Sequence, residues 1–404
     1  MTLSTLAGIR VLDLTGYIAG PYAAALLGDL GADVVKIESP EGDTLRHYPS
    51  TLPGESRAFL GVNRNKRGAV IDLKRDDGAA VFRRLVEGAD VVLHNFRPAA
   101  AGRLKVDFAS LKAVNPRIVV GSLTGFGLTG PFSSRPGFDQ VLQSMTGLSD
   151  CQGADEGEPK VVWGSIVDFY AAAMLAMAVC AALFDRTRTG RAQQIDASLL
   201  RSAIAMQAGR MVWASGEGRD VKRDLRPGRL AGIHPTREGW LYLQAQTSKF
   251  WTVLCELTGL AHLASDPRYD DMTKRKAHED ALVRELRAAL ATRTAIEWEA
   301  LFGDRVPCAA VRAVEDMFDH PQVLAQGLVV DHAHPALGGY RALSGPVHID
   351  SGAPGGAERR APMQGEHTLE VLRELGCTDA EIEQLLARAA VRGTRAGPTE
   401  GQAR

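Results

Sequence analysis

The sequence predicts an α/β fold in which a parallel sheet is wrapped by helices, with a second, smaller domain following. Short β-branched runs alternate with helical segments through the first third of the 404 residues, as repeated βαβ units require. Helical text dominates after that. A charged, glycine-punctuated stretch, Gly216 to Gly228, then marks a shift in composition where a second domain should begin.

Ile9–Leu14 reads as the first strand, Pro21–Leu30 as a helix opened by proline and closed by Gly31, and Val34–Glu38 as the second strand. Further strands are expected at Ala69–Asp72, Asp90–His94 and Arg117–Leu123, with helices over Asp77–Glu87 and Phe108–Val114 between them. A helix over Asp168–Arg186, a short polar strand at Gln193–Asp196 and a long helix over Ala197–Ala214 complete this part. Beyond the linker, a strand at Trp240–Ala245 and helices over Lys249–Thr258 and His278–Ala291 are expected. Thr294-Ala-Ile-Glu297 and Thr378-Asp-Ala-Glu381 match capping boxes that open later helices. Gly327–Asp350 returns to strand-like and loop-like text, and Ser351–Gln364 reads as a second linker. The expected division is a large domain over 1–215, a small domain over 229–326, a return to the large domain over 327–390, and a disordered tail over 391–404.

Composition limits the functional classes. Apolar residues make up 45% of the chain, and 47 basic residues nearly balance 48 acidic ones, so no global basic field points to nucleic acid. No basic segment followed by a long apolar run opens the chain, and a cytoplasmic protein is expected. Five widely spaced cysteines without Cys-x-x-Cys argue for reduced thiols. His332-x-His334, the one close histidine pair, is expected in a loop rather than on a metal.

Asp168 is the most informative residue. It precedes sixteen uncharged, mostly apolar residues, Phe169 to Phe184, too few for a membrane span of about 20 and therefore a buried helix. Backbone N–H groups at the helix start, with the positive end of its dipole, should hold this carboxylate ionised. A helix cap is the ordinary use of Asp in this position. The first strand-to-helix turn, Thr15 to Pro21, could hold phosphate, but its spacing is not G-x-G-x-x-G. Neither a G-x-x-x-x-G-K-[ST] loop nor a G-x-S-x-G elbow occurs. Basic residues gather in Asn63-Arg-Asn-Lys-Arg67 and at Lys74, Arg97 and Arg103. They form either a solvated surface or strand-end loops that together grip a polyanion.

These segments resemble the class III CoA-transferase family (CaiB/BaiF type, formyl-CoA transferase-like), with α-methylacyl-CoA racemase as a divergent branch. The resemblance is carried by Val11-Leu-Asp-Leu-Thr15 with Ala19-Gly-Pro21, the run Leu27 to Glu38, Asn63 to Arg67, Asn95-Phe-Arg-Pro98, Gly125 to Pro131 and Arg135-Pro-Gly-Phe-Asp139. Thr189-Gly-Arg191, Val306-Pro-Cys308, His320-Pro-Gln-Val323 and Gly365-Glu-His-Thr368 extend it along the chain. It implies a Rossmann-like large domain with a smaller α+β domain, and two subunits interlocked as a homodimer. It further implies acyl-CoA as a substrate rather than a tightly bound cofactor, while charge balance, residue spacing and helix length lead to the expectation of no metal and of neither nucleic acid nor a membrane as partner.

By the same resemblance, CoA should contact Tyr17, Ile18, Ile71, Lys74, Asn95, Phe96, Arg103, Phe138 and Asp139. Asp168 falls on the family's catalytic aspartate. The implied chemistry is CoA transfer from an acyl-CoA to a small carboxylic acid through aspartyl anhydride and thioester intermediates. Ser39 and Pro136 replace basic residues of some transferases, so ionic contacts to CoA should be redistributed. Gln244–Lys249 stands where formyl-CoA transferases carry a mobile glycine-rich loop. Phe138 stands where racemases carry a histidine, and a phenylalanine exchanges no proton, which disfavours a racemase. A non-catalytic CoA-binding protein is the third reading. Arg46 is a candidate anchor for the far carboxylate of a dicarboxylic acid, or an ordinary surface arginine.

Overall fold

The computed structural model describes residues 4–153, 157–221, 229–349 and 358–393. The chain divides into two compact units, Met1–Trp213 with Leu324–Arg404, and Ala214–Val323. In the first unit, β1 (Arg10–Asp13), β2 (Asp33–Glu38), β3 (Lys66–Ile71), β4 (Val91–His94), β5 (Val119–Thr124) and β6 (Gln193–Ser198) pair in parallel. The second unit holds an antiparallel sheet of β7 (Gly232–Pro235), β8 (Trp240–Leu243) and β9 (Cys308–Ala310), packed on its own core around Trp251, Leu286 and Trp298. Back in the first unit, β10 (Val329–His334) and β11 (Gly338–Leu343) form a hairpin. β12 (Val391–Arg392) then adds antiparallel to β3, giving the sheet order β12-β3-β2-β1-β4-β5-β6.

A parallel sheet must be covered on both faces, because its crossovers lay helices on each. Helices Ala19–Asp29 and Ile166–Thr189 cover one face. Asp76–Glu87, Phe108–Val114, Thr368–Glu374 and Asp379–Ala387 cover the other. Helix Ile166–Thr189 is 24 residues long and apolar enough to cross a bilayer by composition alone. In this fold its Ala171, Ala172, Leu175 and Val179 are core residues packed with Ala23, Ala24 and Leu27. A Cβ on Gly121 of β5 would lie 2.7 Å from Leu93 Cδ2 and 3.1 Å from Leu175 Cδ1. Glycine there lets the helix approach the sheet.

Four expectations change. Asn63–Arg67 is neither a solvated surface nor a polyanion grip, since these residues are buried and held within the chain. Arg64 pairs with Asp29 at 2.6 Å, Lys66 with Asp13 at 2.8 Å, and Arg67 with Asp33 at 2.7 Å and Glu374 at 2.6 Å. His332 and His334 lie in a strand, buried beside Tyr340, and among the described residues no metal-ligand cluster occurs. The helix expected over Ala197–Ala214 runs only over Leu199–Ala205. β6 pairs with β5 through Ser198, and Gln207 turns its amide to the carbonyls of Thr146 and Ala203 as the chain leaves the helix. The expected tail begins as strand, because Val391 and Arg392 complete the edge of β3; residues 394–404 lie outside the described residues. Both capping boxes form as expected.

Candidate active site

Strands β1 and β4 are neighbours, yet the helices that follow them pack on opposite faces of the sheet. A crevice must open at their carboxyl ends, which is where open α/β sheets bind ligands. Here the turn after β1 is stitched to the end of β4. Asn95 Oδ1 accepts from Gly16 N at 3.1 Å, and Asn95 Nδ2 donates to Gly16 O at 2.9 Å.

The next residue, Tyr17, has φ +67°, a conformation that costs about 1–3 kcal/mol for a bulky side chain. Asp43 holds it there. Its Oδ1 accepts from Tyr17 N at 3.2 Å, while its Oδ2 meets buried Lys36 Nζ at 2.9 Å, and Lys36 also donates to Thr15 O at 2.9 Å. The Tyr17 ring meets Phe138 edge-on at 5.5 Å. Two cavities share this turn. The larger, about 450 Å3, contains Asp168, and the smaller, about 380 Å3, lies between the ends of β1, β2, β3 and β4.

Asp168 is the third residue of its helix, not its cap. Ser165 precedes the helix with φ +58° and makes no side-chain cap. The helix start is instead occupied by Asp139, whose Oδ2 accepts from Val167 N at 2.6 Å and Asp168 N at 3.0 Å. Gln143 donates to the other oxygen of Asp139 and is itself fixed by Val162, accepting from its N at 2.8 Å and donating to its O at 2.9 Å.

The expectation that the helix start keeps Asp168 ionised is therefore reversed. The dipole and the free N–H groups serve Asp139. Burial, and then the charge of Asp139, push the Asp168 carboxyl up to about 7, against a smaller opposing hydrogen bond from Ser165. Burial disfavours the charged form, and a neighbouring carboxylate disfavours a second negative charge. The result is a half-buried carboxyl poised near neutrality and facing a cavity.

The expected site residues converge with one exception. Tyr17, Ile18, Asn95, Phe138, Asp139 and Asp168 line the larger cavity. Tyr17, Ile71, Lys74, Asn95 and Phe96 line the smaller. Arg103 lines neither; it is exposed at the end of helix Pro98–Arg103. Asp139 is only 2% exposed and spends both oxygens on the protein, so it holds Asp168 rather than presenting a contact to ligand. Arg46 is not a surface arginine and offers no open anchor. It grips Glu38 at 2.8 and 2.7 Å and lies 3.7 Å over the Phe59 ring. Gln244–Lys249 belongs to the Ala214–Val323 unit, where Thr247 caps helix Ser248–Leu257. Sequence reasoning missed Lys36, Asp43 and Gln143. Only Gln143 left a signal, four residues after Asp139 on one helix face.

The sequence profile of CoA-transferase family III matches residues 6–368. The chain is 35% identical to a succinate–glutarate CoA-transferase of Agrobacterium fabrum, over 92% of this chain and 95% of that one. It is 31% identical to a succinyl-CoA:glutarate CoA-transferase of Mus musculus, over 96% and 91%. Its fold superposes on a CAIB/BAIF family protein from Brucella suis with a TM-score of 0.83 and 30% identity, covering 93% of this chain and 100% of that one.

Proposed function

Because the chain belongs to CoA-transferase family III, we propose that it moves CoA from a dicarboxylic acyl-CoA to a small dicarboxylic acid through covalent intermediates on Asp168. Acyl-CoA:carboxylate CoA transfer is the activity of the family and of its named relatives. The dicarboxylate class follows the two relatives named for succinate and glutarate. One observation carries the covalent reading: a half-buried carboxyl raised to about 7 faces the cavity at the switch point of the sheet.

The ionised Asp168 attacks the thioester carbonyl, the C–S bond breaks, and CoA leaves as thiolate with an acyl-aspartyl anhydride behind it. The thiolate then attacks the aspartyl carbonyl, releasing the donor acid as carboxylate and leaving an aspartyl-CoA thioester. The acceptor carboxylate attacks that carbonyl and expels the thiolate, giving a second anhydride. Attack of the thiolate on the acceptor's acyl carbon forms the new acyl-CoA and returns Asp168 as carboxylate. A carboxylate is a weak nucleophile in water; raised basicity and enforced proximity both counter that. Oxyanion donors other than Val167 N and Asp168 N are needed, because Asp139 occupies those two.

Phe138, 51% exposed and packed on Tyr17, offers no proton to exchange, so the racemase alternative has no second acid or base at that position. The test is Asp168→Asn, assayed with succinyl-CoA and glutarate. The amide keeps the side-chain volume, so CoA binding should persist while transfer falls by at least a thousandfold. An active variant, with deamidation back to Asp excluded by mass, removes the covalent reading and leaves a non-aspartyl mechanism.

A further inference from the structure

Trp163 lines the cavity of Asp168 and is 80% exposed, and the chemistry above gives it no part. Among the described residues no other ring packs on its indole. The backbone around it is nevertheless fixed from both sides. Val162, just before it, donates its N–H to Gln143 Oε1 at 2.8 Å and accepts from Gln143 Nε2 on its carbonyl at 2.9 Å. Just after it begins the helix of Asp168, whose Val167 N and Asp168 N donate to Asp139 Oδ2 at 2.6 and 3.0 Å. Gln143 and Asp139 are bonded to each other, one turn apart on helix Asp139–Met145. One helix thus grips both ends of a short arch, which passes through left-handed conformations at Gly164, φ +110°, and Ser165, φ +58°. A serine keeps such a conformation only where its surroundings enforce it.

We propose that Trp163 covers the acyl group on Asp168 and keeps water from the covalent intermediates. The assignment rests on the transferase reading above and names the side chain that guards it. Water attack on the aspartyl-CoA carbonyl breaks the C–S bond and returns Asp168 as carboxylate, one proton of the water going to the CoA thiolate and the other to solvent. The thioester is then lost without loading an acceptor. An apolar ring at the cavity mouth excludes water and brings no nucleophile of its own. Packing on the acyl methylenes would also give the indole the apolar contact that it lacks in the free protein. The other exposed aromatic side chains of the cavity are placed differently. Tyr17 and Phe138 are already packed on each other, and Tyr48 follows the turn Thr44–His47, whereas Trp163 stands on the segment that carries Asp168 itself.

The partition between hydrolysis and transfer tests the cover. Enzyme is given succinyl-CoA with glutarate, and free CoA and glutaryl-CoA are both measured. Trp163→Ala should raise the ratio of hydrolysis to transfer about tenfold, and Trp163→Phe, which keeps an apolar ring, should restore most of the wild-type ratio. Equal loss of both activities, or an unchanged ratio, overturns the proposal. Tryptophan fluorescence supplies a second arm that does not need turnover. Succinyl-CoA should shift the emission of the wild type to the blue, and the shift should be absent in Trp163→Phe; a shift of the same size in both refutes the cover. An unchanged ratio with a dimer that dissociates in Trp163→Ala would give the side chain to a subunit interface and refute it as well. A wild type that shows the fluorescence shift but transfers nothing would keep the ring over the thioester and remove the transferase reading instead.

Discussion

Asp139 and Asp168 are neighbouring carboxyls in unlike surroundings. Asp139 accepts the N–H groups of the helix start; Asp168 has burial and then the charge of Asp139 against it, and is pushed up to about 7. With the ionised form as nucleophile, kcat/KM should rise with pH through a limb near 7 and level off above it. Asp139→Asn keeps an acceptor for Val167 N and Asp168 N but removes the charge, so the limb should move to lower pH. Burial, the larger cause, remains, so the move should be partial. A limb that stays in place in Asp139→Asn would show that Asp139 does not set the titration. Stability carries the same signature with a definite sign. A raised folded pKa means the native state binds more protons than the unfolded chain between about 3.8 and about 7, so stability falls as pH rises across that window. Asp168→Asn should therefore be more stable than the wild type at pH 8, on the order of 4 kcal/mol, and no more stable at pH 4, as read by urea unfolding. Asp168 was legible as a functional candidate because a lone charge heads a long apolar run. Its proton affinity was not legible, because the residue that sets it, Asp139, lies 29 positions earlier and reaches it only through the fold.

At the scale of elements, the loop between β5 and the helix Asp139–Met145 fixes Arg135, Phe138 and Asp139 in one cavity. Its base is the backbone contact of Gly125 with Gly137, which has no flexible side chain to give way. Gly125→Ala should cost about 1–3 kcal/mol of stability by overpacking and should also raise KM for the acyl-CoA, because the loop must shift. A variant with wild-type unfolding and kinetics would show that the contact does not position the site. The alternation of β1, β2, β4 and β5 with their helices was readable, since buried parallel strands are continuous apolar runs. β12 was not, because two residues carry no period. The run Asn63–Arg67 misleads for a related reason. Each cation is matched by an acid about 34 to 53 positions earlier, Asp29, Asp33 or Asp13, and no local pattern announces a long-range buried pair.

For the whole molecule, the first unit leaves several large apolar side chains open. Met177 and Phe184 on helix Ile166–Thr189 are 59% and 67% exposed, and Met211, Val212 and Trp213 are exposed as well. We propose that these side chains are covered by a second copy of the chain, interlocked with the first. Sedimentation should give a dimer at every concentration where the protein is folded; a folded monomer on dilution would refute the interlocked arrangement. The central claim, that Asp168 carries the acyl group and then CoA, is tested most directly by trapping. The wild type is incubated with succinyl-CoA, quenched with hydroxylamine or borohydride, digested, and its peptides weighed. A hydroxamate or a reduced side chain is expected at Asp168, formed only when the thioester is present. An unmodified Asp168 peptide from enzyme that is turning over the same substrate would contradict it.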